Sequence, residues 1–390
     1  MLSVSRFHEL VKGVSRGQFD ALVARLGADK HSKGFRCWDQ LLVMVYAQMS
    51  GAGSLREVVA GFNAHATHHY HLGTRAVRRS TLAEANAKRD RRVYAEVAAT
   101  LMASAGRKLR REGQALLAAL DSTPIPLKGG GFETWTAATG NGRTQGVKLH
   151  LQYAVAAGLP MRAQISAANV NDITAAADWP LDAGMRYVFD KGYCDYGWWQ
   201  RIAEAGSTFV TRFKGNAKLK VKQVNPIADE AAGTILSDEE VVLSNRHPRG
   251  GKRNPCTITL RRIVVARPDH DRPLVLATND LGRPAQAIAE DYRQRWQIEL
   301  FFKWIKQHLK IRRFLGESKG AVHVQILTAL IAYLLVAIAH RASGCAGTCW
   351  EYLMTLRAGL FQRVATDHSH YRRCRERRQA LAERQAGLFA

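Results

Sequence analysis

Residues 186–206 read RYVFDKGYCDYGWWQRIAEAG. A short apolar strand stops on a carboxylate, Asp190, and the chain turns through a glycine into an amphipathic helix. Upstream, ALLAALDSTPI (115–125) makes the same gesture, with an apolar run ending on Asp121. Between them, VKLHLQYAVAAGLPMRAQISAAN (147–169) alternates like a hairpin, with Gly158 and Pro160 near its turn, and ITAAADWPLDAG (173–184) reads as a short helix. The order strand, strand, strand, helix, strand, helix specifies an α/β domain with a mixed sheet. In an open α/β sheet the C-terminal tips of the strands are where sites form, and two tips here carry acids.

Residues 206–280 interrupt the pattern. TFVTRF, EEVVLSN, TITLRRIVVA and PLVLATN are strand-like, and KGNAKLKVK and NRHPRGGKRNP read as basic loops between them. Helical sequence returns with YRQRWQIELFFKWIKQ (292–307). At about 100° per residue, Tyr292, Arg295, Glu299 and Lys306 share one face of that helix. Trp296, Leu300 and Trp304 are expected to pack nearby.

The chain before about 110 is helical in character. CWDQLLVMVYAQM (37–49) and SLREVVAGF (54–62) have helical spacing, and Thr81 with Glu84 fits a capping box. His65, His68, His69 and His71 lie between helices with no Cys or acid beside them, which suits a polar connection better than a metal site. Short helices flanked by arginines suit DNA binding, though no helix-turn-helix is sharp enough to name. After the acidic helix come ILTALIAYLLVAIA (326–339), expected as a buried helix since 14 apolar residues fall short of the about 20 that span a membrane, then WEYLMTLRAGLF and the basic tail Tyr371 to Arg384.

Charge narrows the partner. Of 390 residues, 57 are Lys or Arg and 33 Asp or Glu, a net charge of +24 spread along the chain. Such a balance suits a polyanion, nucleic acid first, better than a small acidic substrate. SRFHELVKGVSRGQF lacks the apolar run of a secretory signal, and the six cysteines form no C-x-x-C. A reducing cytoplasm, without a zinc site or disulfide framework, is the expectation.

Asp121, Asp190 and Glu299 could converge on two Mg²⁺ ions, which serve in-line phosphodiester displacement without a protein nucleophile. Taken singly, an acid after a strand is often a turn or N-cap, and Glu299 could simply pair with Arg295 or Lys303. Together they are coherent: a carboxylate beside Tyr292, Arg295 and Lys306 suits a phosphodiester substrate. Trp198 and Trp199 fit core packing better than base stacking.

In every spacing, Tyr292-x₂-Arg295-x₃-Glu299-x₆-Lys306 resembles the signature of the insertion sequence 4 family of DDE transposases. FDKGY, with Asp190, is similar to that family's second acidic segment, and LDST, with Asp121, to its first. The resemblance covers roughly residues 115–340, including the β-rich stretch and the greasy helix. It implies a ribonuclease-H-like mixed sheet with a β-rich insertion, preceded by a helical N-terminal domain and followed by C-terminal helices. The implied division is 1–110 helical and DNA-binding, 111–345 catalytic with the insertion at about 206–280, and 346–390 a helical basic segment. It further implies cut-and-paste transposition in a bacterial cytoplasm, at the nucleoid. Asp121, Asp190 and Glu299 would be catalytic and hold two Mg²⁺, with Mn²⁺ able to substitute. Tyr292, Arg295 and Lys306 would bind DNA. The partners would be double-stranded DNA, at transposon ends and target, and a second copy in a synaptic homodimer. In studied relatives an aromatic residue of the insertion assists a hairpin step, whereas residues 206–280 here contain no Trp, only Phe209 and Phe213. The alternative is a catalytically silent, transposase-derived DNA-binding protein.

Overall fold

A computed structural model describes residues 5–111, 116–140, 142–228, 231, 233–244, 254–268, 271–309, 311 and 313–363. The basic tail at 371–384 lies outside them. In chain order the elements are α1 (Arg6–Val11), α2 (Arg16–Leu26), α3 (Cys37–Ser50), α4 (Leu55–Asn63), α5 (His69–Leu72), α6 (Arg79–Lys88), α7 (Arg92–Arg111), β1 (Leu117–Pro126), α8 (Gly130–Glu133), β2 (Ala137–Ala138), β3 (Gln145–Ala154) and β4 (Leu159–Ala167). There follow α9 (Asp172–Ala176), β5 (Arg186–Phe189), α10 (Tyr196–Glu204), β6 (Thr208–Arg212), β7 (Leu219–Val224), β8 (Ile235–Leu243), β9 (Leu260–Val265), β10 (Leu274–Thr278), α11 (Ala285–Gln294), α12 (Trp296–His308), α13 (Lys319–Ser343) and α14 (Cys349–Ala358).

The chain forms two compact units. One takes in the described residues up to Ala105, Gly129–Trp135 and the described residues from Trp304 onward. Its centre is a pair of mostly apolar helices buried on every side. Residues 37–49 of α3 and 321–337 of α13 are buried throughout, as a helix without a polar face must be. α13 packs on α3, α6, α14 and α1. Ser318 caps its start by accepting from the Ala321 N–H, and Gly344 ends it in the left-handed region at φ 62°. At 25 residues α13 is longer than the expected run and is long and apolar enough to cross a membrane, but 89% of its most apolar window is buried inside the protein. It is a core helix.

This packing corrects the expected divisions at 110 and 345. The apolar surface of α13 is covered by α3 and α6, so the C-terminal helices join the N-terminal ones in one unit. The capping box expected at Thr81 is also corrected: α6 begins at Arg79, which puts Thr81 inside it. The histidine run is structural. His69 Nε2 is 3.0 Å from the Phe62 carbonyl oxygen, and His65 stacks on Phe361 at 3.9 Å.

The second unit, Gly106–Lys128 with Thr136–Lys303, is built on one mixed sheet. Its order is β4-β3-β1-β5-β6-β10-β9-β8-β7, with β2 pairing the start of β3. β1, β3 and β4 are antiparallel neighbours, while β5 and β6 run parallel to β1. Three antiparallel strands followed by two parallel ones is the ribonuclease-H-like arrangement. β10, β9, β8 and β7 then extend the sheet antiparallel. β6 therefore belongs to the parallel core, and the insertion starts after Arg212 instead of at 206. The sequence TFVTR alternates alike in either setting, so only pairing separates them. KGNAKLKVK, read as a loop, contains most of β7. Its strand is exposed almost throughout, and Lys220 and Lys222 suit an edge position.

One face of this sheet holds the aromatic core. Ala118 and Leu120 of β1, Tyr187 and Phe189 of β5 and Phe209 of β6 pack with Trp198 and Trp199 of α10, which are 1% and 0% exposed. Phe189 lies 4.9 Å from Trp198 and Phe209 5.0 Å from Trp199, centroid to centroid. The two tryptophans are core residues, as expected. At about 25 cal/mol per Å², burying a ring of about 150–250 Å² contributes about 4–6 kcal/mol. The pleat makes alternate residues face the other side, where α11 packs on β5, β6, β8 and β9.

Candidate active site

Register brings the first two acids together. β1 and β5 pair in parallel from Leu117↔Arg186 to Leu120↔Phe189, and the next residue on each strand is the acid. Asp121 and Asp190 thus stand side by side on neighbouring strands about 4.8 Å apart, both on the face covered by α11. Asp190 directly follows β5, whereas Asp121, expected at a strand end, lies inside β1, which runs on to Pro126 paired with β3. β6 adds a cation at its own end. Val188 pairs with Val210, so two residues further on Arg212 stands beside Asp190, with Nη2 3.9 Å from Oδ2.

The turn after Asp190 is shaped by Gly192. Its N–H donates to the Asp190 carboxylate, and a Cβ there would lie 2.7 Å from Asp190 Oδ1 and 3.6 Å from Asp172 Oδ2. A side chain cannot be added without moving the acid. On β1, the Ser122 N–H donates to Asp121 Oδ1 at 2.8 Å.

The third acid arrives on α12. The chain bends between α11 and α12 at Arg295, whose guanidinium reaches Glu299 Oε1 at 2.7 Å through Nη2 and Asp121 Oδ2 at 3.9 Å through Nη1. Tyr292 is buried below it, with Arg295 Cζ 5.8 Å from its ring centre. The structure therefore brings together Asp121, Asp190, Glu299, Tyr292 and Arg295. Lys306 is half-buried, seven residues beyond Glu299 on the same helix, and is grouped with the unit that starts at Trp304. Trp296 and Leu300 do not pack as expected: they are 55% and 43% exposed. Trp304 does pack, with its ring 5.0 Å from that of Tyr333.

The electrostatics are those of a buried acid with anionic neighbours. Burial above all, with Asp190 and Glu299 adding to it, pushes the Asp121 carboxyl up to about 7, against the opposing Ser122 hydrogen bond and the Arg295 charge. Burial also raises the Tyr292 hydroxyl, so it stays protonated as a donor at neutral pH. The donor set is oxygen only, which suits a hard divalent cation, and the raised Asp121 carboxyl marks negative charge that such a cation would relieve. Among the described residues, no three His, Cys, Asp or Glu side chains already surround one point closely enough to ligate an ion. Arg295 stands between Asp121 and Glu299 and neutralises them.

Several polar groups around the acids escaped the sequence reading. Asp172 Oδ1 accepts from Ser122 Oγ at 2.6 Å and from Lys148 Nζ at 3.1 Å. Lys148 and His150 were read only as part of a hairpin. Polar residues at alternating buried positions of an otherwise apolar strand, K-x-H in β3, were the available signal. A cavity of about 690 Å³ opens beside Asp190 and is lined by Asp172, Lys191, Arg212, Lys214 and Arg267.

Comparison with known proteins shows the family. The sequence profile of the transposase DDE domain matches residues 112–335, and a domain of unknown function matches residues 3–75. Similar proteins, each named as a transposase, include y4zB of Sinorhizobium fredii, 47% identical over 67% of this chain and 71% of that one. Those of the insertion sequence elements IS5377 of Geobacillus stearothermophilus and IS4SA of Synechocystis are 30% and 28% identical, over 56% and 46% of this chain and 55% and 49% of theirs. Among solved structures, a piggyBac transposase synaptic complex with hairpin DNA aligns at TM-score 0.45 and 9% identity, over 93% of this chain and 81% of that one. With a profile match that spans more than half of its length and these relatives, the chain belongs to the transposase DDE domain family, among the insertion sequence 4 transposases.

Proposed function

We propose that the protein cuts double-stranded DNA at the ends of its insertion element and joins them to target DNA, with Asp121, Asp190 and Glu299 as the catalytic, metal-holding acids. The observation that carries this reading is the parallel register that sets Asp121 beside Asp190, with Glu299 tied to the same cluster through Arg295. Mg²⁺, two ions, fits the oxygen donors, and Mn²⁺ can substitute. When bound, such ions activate a water or 3′-hydroxyl and stabilise the leaving oxygen.

The remaining roles belong to the chain's own groups. Arg295 neutralises Asp121 and Glu299 in the free protein and turns its guanidinium to a DNA phosphate on binding, where a bidentate contact is strong. Tyr292 donates its hydroxyl to the same phosphate and carries Arg295 over its ring. Lys306 meets the backbone further along. The helical N-terminal region contributes end recognition through its exposed arginines. Two ends must be joined together, so the working assembly is a homodimer on paired ends, acting at the nucleoid in a bacterial cytoplasm.

The test uses purified protein and a supercoiled plasmid carrying the DNA that flanks the gene, with Mg²⁺, Mn²⁺ or neither. Metal-dependent cuts at the repeat ends, followed by joined products, are expected, and Asp190→Asn should abolish both. Full cleavage by Asp190→Asn would refute the assignment. Tight end binding with no cleavage in either metal would instead identify a silent DNA-binding protein.

A further inference from the structure

We propose that Asp172 is a positioning residue of this centre, holding Asp121 in place through Ser122. It extends the metal-site reading above and rests on it. Asp172 starts α9 on the sheet face opposite to α11, behind Asp121 and Asp190. Three groups converge on its Oδ1: Ser122 Oγ at 2.6 Å, Lys148 Nζ at 3.1 Å and His150 Nδ1 at 3.7 Å. Ser122 is itself paired across the sheet with His150.

Asp172 is linked to the surroundings of both acids. Ser122 gives its hydroxyl to Asp172 and its backbone N–H to Asp121 Oδ1. Gly192 gives its N–H to Asp190, and a Cβ added to it would lie 3.6 Å from Asp172 Oδ2. Of the two residues that orient the acids, Ser122 is thus hydrogen-bonded to the Asp172 carboxylate and Gly192 is placed beside it. Lys148 fixes that carboxylate in turn, because the same ammonium donates to the Val170 carbonyl at 2.8 Å and ties down the segment leading into α9. His150 is 1% exposed, and burial pushes its imidazole down to about 4, so it adds a neutral wall that leaves the charge of Lys148 as the partner of Asp172.

Groups behind metal ligands typically change metal affinity by about 10–100-fold when removed. The experiment is Mn²⁺ binding to the full chain, followed by the electron paramagnetic resonance of free Mn²⁺, with thermal unfolding alongside. Wild type, Asp172→Ala, Ser122→Ala and the double variant form a cycle. Asp172→Ala should weaken Mn²⁺ about tenfold or more, Ser122→Ala less, and the double variant no further than Asp172→Ala, since both sever one link. Equal affinity of wild type and Asp172→Ala, or losses that add in the double variant, would overturn the proposal. Should Asp172→Ala not fold, Ser122→Ala decides, because it severs the same link at its other end. A loss of about threefold or more supports the relay, and affinity equal to wild type refutes it. No Mn²⁺ binding by wild type would overturn the metal-site reading together with this one, whereas tight wild-type binding that Asp172→Ala leaves unchanged removes this inference alone.

Discussion

Removing the Asp238 carboxylate should unfold the insertion's anchor. Asp238 on β8 is 3% exposed and Arg261 on β9 is 7% exposed, and they form a two-pronged pair whose Nε to Oδ1 distance is 2.7 Å. Asn225 adds a donor to the same oxygen at 3.1 Å, and Arg261 Nη1 donates to the Arg283 carbonyl in the turn before α11. Arg283 continues to Asp291 at 2.6 Å, and Asp291 to Arg186 of β5 at 3.4 Å. The chain of charges ties the inserted strands to the helix that carries Tyr292. In Asp238→Ala the guanidinium keeps one acceptor and stays buried, and such a broken pair costs about 3–5 kcal/mol. One residue along the same ladder, Glu239 and Arg262 form a pair at 2.9 Å with side chains 20% and 31% exposed. Glu239→Ala should cost at most about 1 kcal/mol. For a unit of this size each kcal/mol moves the midpoint by about 2–4 °C, so Asp238→Ala should lower Tm by about 6–20 °C and Glu239→Ala by under about 4 °C. Circular dichroism melts at low and high salt measure both. Salt should shrink the Glu239→Ala effect and leave that of Asp238→Ala. Adding Arg261→Met to Asp238→Ala should recover most of the loss, because the cost lies in the stranded charge. Equal losses at the two positions, or an Asp238→Ala cost below about 1 kcal/mol, would refute the reasoning.

Two further outcomes follow from the geometry. Asp121 has its carboxyl raised from 3.8 to about 7, so its contribution to metal-free stability is full below about pH 4 and is lost as pH rises through 7. Asp121→Asn should therefore melt with wild type at pH 4 and above it at pH 8, by up to about 4 kcal/mol at about 1.4 kcal/mol per unit, and Mn²⁺ should raise the Tm of wild type alone; a variant no more stable at pH 8 contradicts this. At Gly320 in α13 a Cβ would lie 2.4 Å from the Ala87 and 2.9 Å from the Asn86 carbonyl oxygen. Gly320→Ala gains about 1 kcal/mol of helix propensity but forces two backbones apart, and a net loss of about 1–3 kcal/mol should appear as a lower urea midpoint; a higher midpoint would show that α6 yields freely.

The sequence by itself determined that Asp190 follows a short apolar strand and that Glu299 lies on a helix, because apolar runs, turn residues and helical spacing are local properties. It misplaced Asp121 at a strand end, since β1 continues to Pro126 through pairing with β3 that the polar turn of sequence at Asp121 does not reveal. The sequence also determined that α13 must be buried, since a mostly apolar helix has no polar face to give to water. Only the tertiary structure decided that β6 is a parallel core strand, because TFVTR alternates alike in either setting, and that the C-terminal helices join the N-terminal ones. It alone set Asp121 opposite Asp190, since register between strands 69 residues apart depends on pairing that neither strand encodes. The same holds for Arg295 between two acids and for Asp172 behind them. Electrostatic partners are chosen by distance in space, and a chain read residue by residue holds only distance along itself.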